Sequence, residues 1–396
     1  MDATTKWRVC AAGLVFLAFI FLLYTFAPFW PGHFPFDDHG EPKSETSRSE
    51  IFFIAEFSLG TPRRLFRGLL STTTTALAVL TKSYEDRRTY YPNEFSTGIP
   101  TNQVEYLEVY YGVSVGGPVV RDTVTFADLK IPNYDFVAGS TGYLTRDLFN
   151  EGDIDGFFGL DPFGRKRDAP THLTSLFMSM VQRGSLDVNC WSLKPPQSTI
   201  GAPGELTFGR TSDQVRLEDK FIHLPITNHT IRGDMELPTW QTETNTTVYV
   251  GGNSVELNKN ILTMFFAESP LIFLPSHAVD LLLDAVGDFE DSLLFYFVEC
   301  DQRKDFPDLT INFSGNNFTF TPYQYAMEVT IEDSTECILA VQEAGDFIIL
   351  GSSFLKNYYT VFDWDSKEIK CMPLPCDFDE QLEFNLLKYD LEVTSI

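Results

Sequence analysis

Residues 155–160 read Asp-Gly-Phe-Phe-Gly-Leu, and residues 347–351 read Phe-Ile-Ile-Leu-Gly. Each is an apolar run closing on glycine, the pattern of a strand end that comes too close to another backbone to leave room for a side chain. One copy lies in each half of a chain of 396 residues. An internal duplication follows: two related lobes of roughly 160–170 residues each, within the ordinary size of a domain.

The text around both copies is strand-like. IFFIAEFSLG, VEYLEVYYGVSV, DTVTFADLKI, GELTFG, TTVYVGG and FTFTP are short aromatic and β-branched runs bounded by Gly, Pro, Asn and Asp, as strands are. Helical periodicity is confined to Leu173–Arg183 and His277–Val286. A mostly-β class is expected. With 43% hydrophobic residues and 36 phenylalanines the chain can bury a large core, which excludes global disorder. Its net charge of −26 argues against a nucleic-acid partner, which needs a basic footprint.

Residues 9–27 (VCAAGLVFLAFIFLLYTFA) are uninterruptedly apolar, long enough to span a bilayer. A cleaved signal peptide is the competing reading, but its apolar region is normally shorter, and the small-residue site ending at Ala27 is followed by Pro28. Lys6 and Arg8 precede the run, so the positive-inside rule predicts a single-pass, type II membrane protein with a cytosolic tail (1–8), a signal-anchor (9–27) and a Pro- and Ser-rich stalk (28–50). The bulk of the chain is then lumenal or extracellular, in the secretory or endolysosomal pathway or at the cell surface. Sequons at Asn228, Asn245, Asn312 and Asn317 fit a glycoprotein. Five of the six cysteines follow the span, where disulfides form. Cys300–Cys337 is the expected pair; the pairing of Cys190 is left open, with Cys371 and Cys376 as its candidate partners.

From residue 51 onward the chain resembles the pepsin-like aspartic peptidases. Phe57-Ser58-Leu59-Gly60-Thr61-Pro62 looks like the strand and turn before that family's first catalytic loop. Asp122-Thr123-Val124, the 155–160 element, Gly204–Gly209 and the closing run 349–365 (ILGSSFLKNYYTVFDWD) follow in family order. The resemblance implies a first lobe over 51–222, a second over 223–376, and a long cleft between them that binds extended peptides. An acidic tail (377–396) follows, read as a solvated or loosely docked end.

The same resemblance implies one Asp-Thr-Gly triplet per lobe, because the family's chemistry needs two carboxylates sharing a proton. Counting from the turn, the first triplet falls on Ser71-Thr72-Thr73. In the second lobe, TMFFAESPLIFLP places Phe266-Ala267-Glu268 there. Both aspartates are thus expected to be replaced. Glu268 lies two residues late and would share the face of Phe266 only if the chain stayed extended; even then it lacks a partner carboxylate. Tyr111 and Gly112 resemble the family's flap tip, with Tyr110 the rival by one register, and a plain aromatic strand position is the alternative.

The six histidines show no metal-ligand spacing, and the sequence implies neither a metal nor another cofactor. Gly139-Ser140-Thr141-Gly142 misses the serine-hydrolase elbow and reads as a turn. The STTTT run at 71–75 reads as a buried strand. The expected function is a catalytically inactive homologue that binds an extended peptide or protein segment in its cleft. The alternatives are a divergent active aspartic endopeptidase and a structural or trafficking role with the cleft empty.

Overall fold

The computed structural model describes residues 52–81, 88–109, 113–127, 129–141, 154–162, 173–195, 204–227, 240–292, 295–331, 334–374 and 391–395. The fold is mostly β, with two lobes. In the first, a seven-stranded sheet runs in the order Ile54–Leu59, Arg64–Ser71, Gly156–Gly159, Leu77–Leu80, Leu129–Thr141, Val113–Phe126, Ile99–Val109. The second contains a five-stranded sheet ordered Gln241–Thr244, Ile261–Phe265, Phe347–Leu350, Ile272–Pro275, Val341–Ala344, flanked by two four-stranded sheets.

The duplication read from the glycine-ending runs is present in the pairing. In the first lobe Gly156–Gly159 lies parallel to Arg64–Ser71 and antiparallel to Leu77–Leu80. In the second, Phe347–Leu350 lies parallel to Ile261–Phe265 and antiparallel to Ile272–Pro275. Both closing glycines sit against the loop that links the flanking strands. A Cβ on Gly159 would stand 2.5 Å from the Thr74 carbonyl oxygen, and one on Gly351 2.4 Å from that of Ser269. The repeat is therefore enforced by contact between backbones, which only glycine permits.

A six-stranded sheet joins the halves, in the order Ile222–Pro225, Glu368–Pro373, Tyr358–Asp363, Cys190–Lys194, Gly204–Phe208, Leu391–Ser395. Aromatic rings fill the space above it. Trp191 stacks on Phe362 at 4.0 Å, and Trp240 meets both rings edge-on. Trp240 also donates its indole N–H to Leu160 O at 3.1 Å, while its carbonyl accepts from Phe265 N at 3.1 Å. One buried residue thus ties the first lobe's glycine element to the second lobe's strand Ile261–Phe265.

Several expectations are corrected. Residues 139–141 belong to the strand Leu129–Thr141 rather than a turn, because Gly139 lets the backbone of Gly116 and Gly117 pass closely. Ser71 ends its strand, and Thr72–Thr75 form a buried loop, not a continuing strand. Cys300 and Cys337 are disulfide-bonded as expected. Cys190 and Cys371 are instead free, buried thiols. The strand Tyr358–Asp363 lies between theirs, pairing Asp363 with Cys190 and Thr360 with Cys371. Two strand spacings, about 9–10 Å, exceed a disulfide's reach. Residues 9–27, Tyr110, Tyr111, Gly112, Asn228 and Cys376 lie outside the described residues. Among the described residues no helix is long and apolar enough to cross a membrane.

Replacing Gly351 by alanine should lower stability by at least ~1–3 kcal/mol, the usual range for overpacking. Gly159→Ala should do the same, and denaturant titration of each variant checks both. A variant at either position as stable as the parent would contradict the backbone-contact account.

Candidate functional site

Ser71 closes the strand Arg64–Ser71 and Phe266 follows the strand Ile261–Phe265. The two strands are equivalents in the duplicated pairing: Ser71 is opposite Gly159, and Phe266 comes one residue after Phe265, which is opposite Leu350, so the two hold symmetry-related positions. Their main chains are held by different bonds: Leu160 N donates to Ser71 O at 2.8 Å, whereas Phe266 N donates to Leu350 O at 3.0 Å. Neither residue has measurable exposure. Phe266 packs with Leu262, Met264, Leu271, Phe273 and Ile349.

Thr72 makes the first bridge between lobes. Its hydroxyl donates to Phe265 O at 2.6 Å and accepts from Ala267 N at 3.1 Å. The symmetric bridge would run from Thr72 N to a hydroxyl at position 267, which Ala267 lacks. Glu268 supplies the acceptor instead: Thr72 N donates to its Oε2 at 3.0 Å. The chain turns sharply here, with Ser269 N bonded to Phe266 O at 3.1 Å. That turn swings Glu268 out of the extended register and into the junction.

The Glu268 carboxyl is the centre of a ring of small donors. Oε1 accepts from Ser71 Oγ at 3.2 Å and from the Thr73 hydroxyl in a very short contact. Oε2 also lies 3.2 Å from Thr72 Oγ1. Ser71 Oγ reaches Thr74 Oγ1 at 3.0 Å and accepts from Thr73 N at 3.3 Å. Every partner of the carboxyl is neutral. Burial therefore pushes its pKa up, against the opposing pull of the hydrogen bonds from Thr73, Thr72 and Ser71. The sequence discounts Glu268 because it lacks a partner carboxylate, and its partners here are indeed neutral groups; what the sequence did not place is the turn that brings it into the junction. The Ala-Glu-Ser-Pro sequence that follows Phe266 is the signal that could have located the turn.

The structure thus brings together Ser71, Thr72, Thr73, Phe266, Ala267 and Glu268. The remaining candidates lie elsewhere. Asn245 and Asn317 are exposed and Asn312 is half-buried, all at or on a sheet of the second lobe. Cys300, Cys337 and Glu328 form the one cluster of metal-ligand type among the described residues, and its two sulfurs are bonded to each other.

The family model for eukaryotic aspartyl proteases matches residues 52–374. The chain belongs to that family. It is similar to the vacuolar aspartic protease of Candida albicans, 26% identical over 81% of this chain and 75% of the relative. The vacuolar protease A of Aspergillus fumigatus is 27% identical over 78% and 76%. Cathepsin D of Dictyostelium discoideum is 23% identical over 80% and 82%.

Two outcomes are expected of this pepsin-like junction. A carboxyl whose pKa is raised on folding binds its proton more tightly in the native state. Its contribution to stability is greatest at low pH and declines as pH rises from about 4.5, its ordinary value, through the raised folded value. Stability measured from pH 4 to 7 should fall less steeply in Glu268→Gln than in the parent. Thr72→Val strands two buried partners, Phe265 O and Ala267 N, and should cost ~1–3 kcal/mol in a denaturant titration.

Proposed function

We propose that this chain is a catalytically inactive pepsin-like aspartic peptidase homologue whose interlobe cleft binds an extended peptide or protein segment. The observation carrying the reading is the junction itself, where Ser71 and Phe266 hold the two symmetry-related positions. In the family's chemistry, one ionised carboxylate activates a water and its protonated neighbour polarises the scissile carbonyl. A serine hydroxyl is far too weak an acid to share a proton with a carboxylate at working pH, and a phenyl ring has no proton to give. Glu268 is a single carboxyl spent on bridging the lobes. Its oxygens are met by Thr72 N and by the hydroxyls of Ser71 and Thr73.

Recognition in such a cleft rests on backbone pairing to an extended ligand, with side-chain pockets setting preference, as in strand addition. The flap residues Tyr111 and Gly112 belong to this reading through the family resemblance alone. We further propose that residues 9–27 anchor the protein as a type II membrane protein with both lobes lumenal, in the secretory or endolysosomal pathway. The Cys300–Cys337 disulfide supports an oxidising compartment, and two of the relatives are named vacuolar.

The second reading, a divergent active endopeptidase, is favoured by one observation: a protonatable carboxyl at the junction beside a serine hydroxyl. The two readings separate in one assay. Full-length protein in detergent, incubated with an unfolded substrate from pH 3 to 7, should release no peptides above the buffer rate. A photo-crosslinkable extended peptide should label residues lining the cleft. Pepstatin-sensitive cleavage that Glu268→Gln reduces by the ~10²–10⁴-fold expected for losing a general acid or base would establish the second reading and overturn the first.

A further inference from the structure

The strands Asn253–Glu256, Thr246–Val250, Leu309–Phe313 and Asn316–Phe320 form one four-stranded sheet of the second lobe. Its inner face is apolar: Val248, Val250, Leu309, Ile311, Phe313, Phe318 and Phe320 have no measurable exposure. Its outer face is a grid of hydroxyls and amides. In one row Thr247 is opposite Asn312, which is opposite Asn317; in the next Tyr249 is opposite Thr310, which is opposite Thr319. The edge strand adds Ser254 to the second row and Glu256, the only charge among these positions, to the first. In a chain with 55 acidic residues and a net charge of −26, this face is polar but nearly uncharged.

Three of the four sequons meet on it. Asn245 is exposed at the end of the sheet, two residues before Thr247, and its carbonyl accepts from Ser314 N at 2.9 Å. Asn317 is exposed on the edge strand, and because side chains alternate along a strand, Asn317 and Thr319 point outward while Phe318 points in. Asn312 differs. It lies on an inner strand between Thr247 and Asn317, and both ends of its carboxamide are engaged. Its Oδ1 accepts from Gly315 N at 2.9 Å across the tight turn made by Ser314 and Gly315, and its Nδ2 donates to Asn317 Oδ1 at 2.5 Å. Opposed side chains on paired strands stand about 4.5–5.5 Å apart at Cβ, so sugar rings on both amides would claim the same space.

We propose that this outer face is glycan-covered in the folded protein, with N-linked chains on Asn245 and Asn317 and an unmodified Asn312. A chain on Asn317 leaves from the sheet edge into solvent. There it also shields the unpaired backbone groups of an edge strand, which otherwise invite association with another chain. A chain on Asn312 would have to rise from mid-sheet against Thr247 and Asn317 and would disturb the bond that closes the turn. The inference rests on the lumenal placement but is independent of what the cleft does.

The test is glycosidase treatment in ¹⁸O-water of the full chain produced in a eukaryotic secretory host, followed by peptide mass mapping. Each occupied asparagine is converted to a labelled aspartate. The expected result is label at Asn245 and Asn317 and unconverted asparagine at 312, with Asn317→Gln losing one glycan from the intact mass and Asn312→Gln losing none. Any other pattern at these three positions, including label at both 312 and 317 on one peptide or at none, overturns the proposal. If none is labelled, the state of the Cys300–Cys337 disulfide tells whether the lumenal placement falls as well, since a reduced pair would remove its other support.

Discussion

The structure depends on how a single carboxyl is held out of water at the meeting point of two lobes. Removing an ionised carboxylate from solvent costs several kcal/mol unless donors replace the lost hydration. Glu268 is met only by neutral donors, all from residues 71–73 of the opposite lobe. The carboxyl therefore holds the lobes in register and is itself tolerable only while they are in register. The Thr72 hydroxyl, bonded to Phe265 O and Ala267 N, completes this clasp from the other side. An arrangement that in a paired-acid centre would hold a water between two acids here holds one strand end against another.

The clasp is placed by the duplicated pairing. In each lobe a glycine-ended strand sits between a strand that enters the junction and a strand that leaves it. The close approach of Gly159 and Gly351 to neighbouring carbonyls leaves no room for a side chain between each strand and its loop. The aromatic layer around Trp191, Trp240 and Phe362 then transmits that alignment to the shared six-stranded sheet. The frame that positions the junction is set by backbone sterics and ring packing, which do not depend on residues 71 and 266 being acids.

Much of this was legible in the sequence. The glycine-ended runs carry the duplication because their constraint is local and steric. Cys300 and Cys337 paired as expected, and Ser71 and Phe266 stand in equivalent registers against the two glycine-ended strands. The contacts of Glu268 were not legible: a turn closed by Ser269 N and Phe266 O sets where its side chain points, and strand periodicity carries no information about that turn. The state of Cys190 could not be read from the sequence, because sheet order, a property of long-range pairing, sets a strand between it and Cys371. The run 71–75 was read as strand from its threonines, although its buried hydroxyls serve one another and Glu268 in a loop.

The shared sheet has a further consequence for how the molecule is made. Cys190–Lys194, from the first half of the chain, hydrogen-bonds to Tyr358–Asp363, near the end of the second. On a ribosome the earlier strand emerges long before its neighbour exists, with one row of backbone groups bare and Trp191 still lacking Phe362 to stack on. Pairings this distant in the chain are slow to form, and an open edge is sticky while it waits. Synthesis of this protein therefore includes an interval in which a nearly complete lobe must be kept from the wrong neighbours, and the length of that interval is set by the rate of translation.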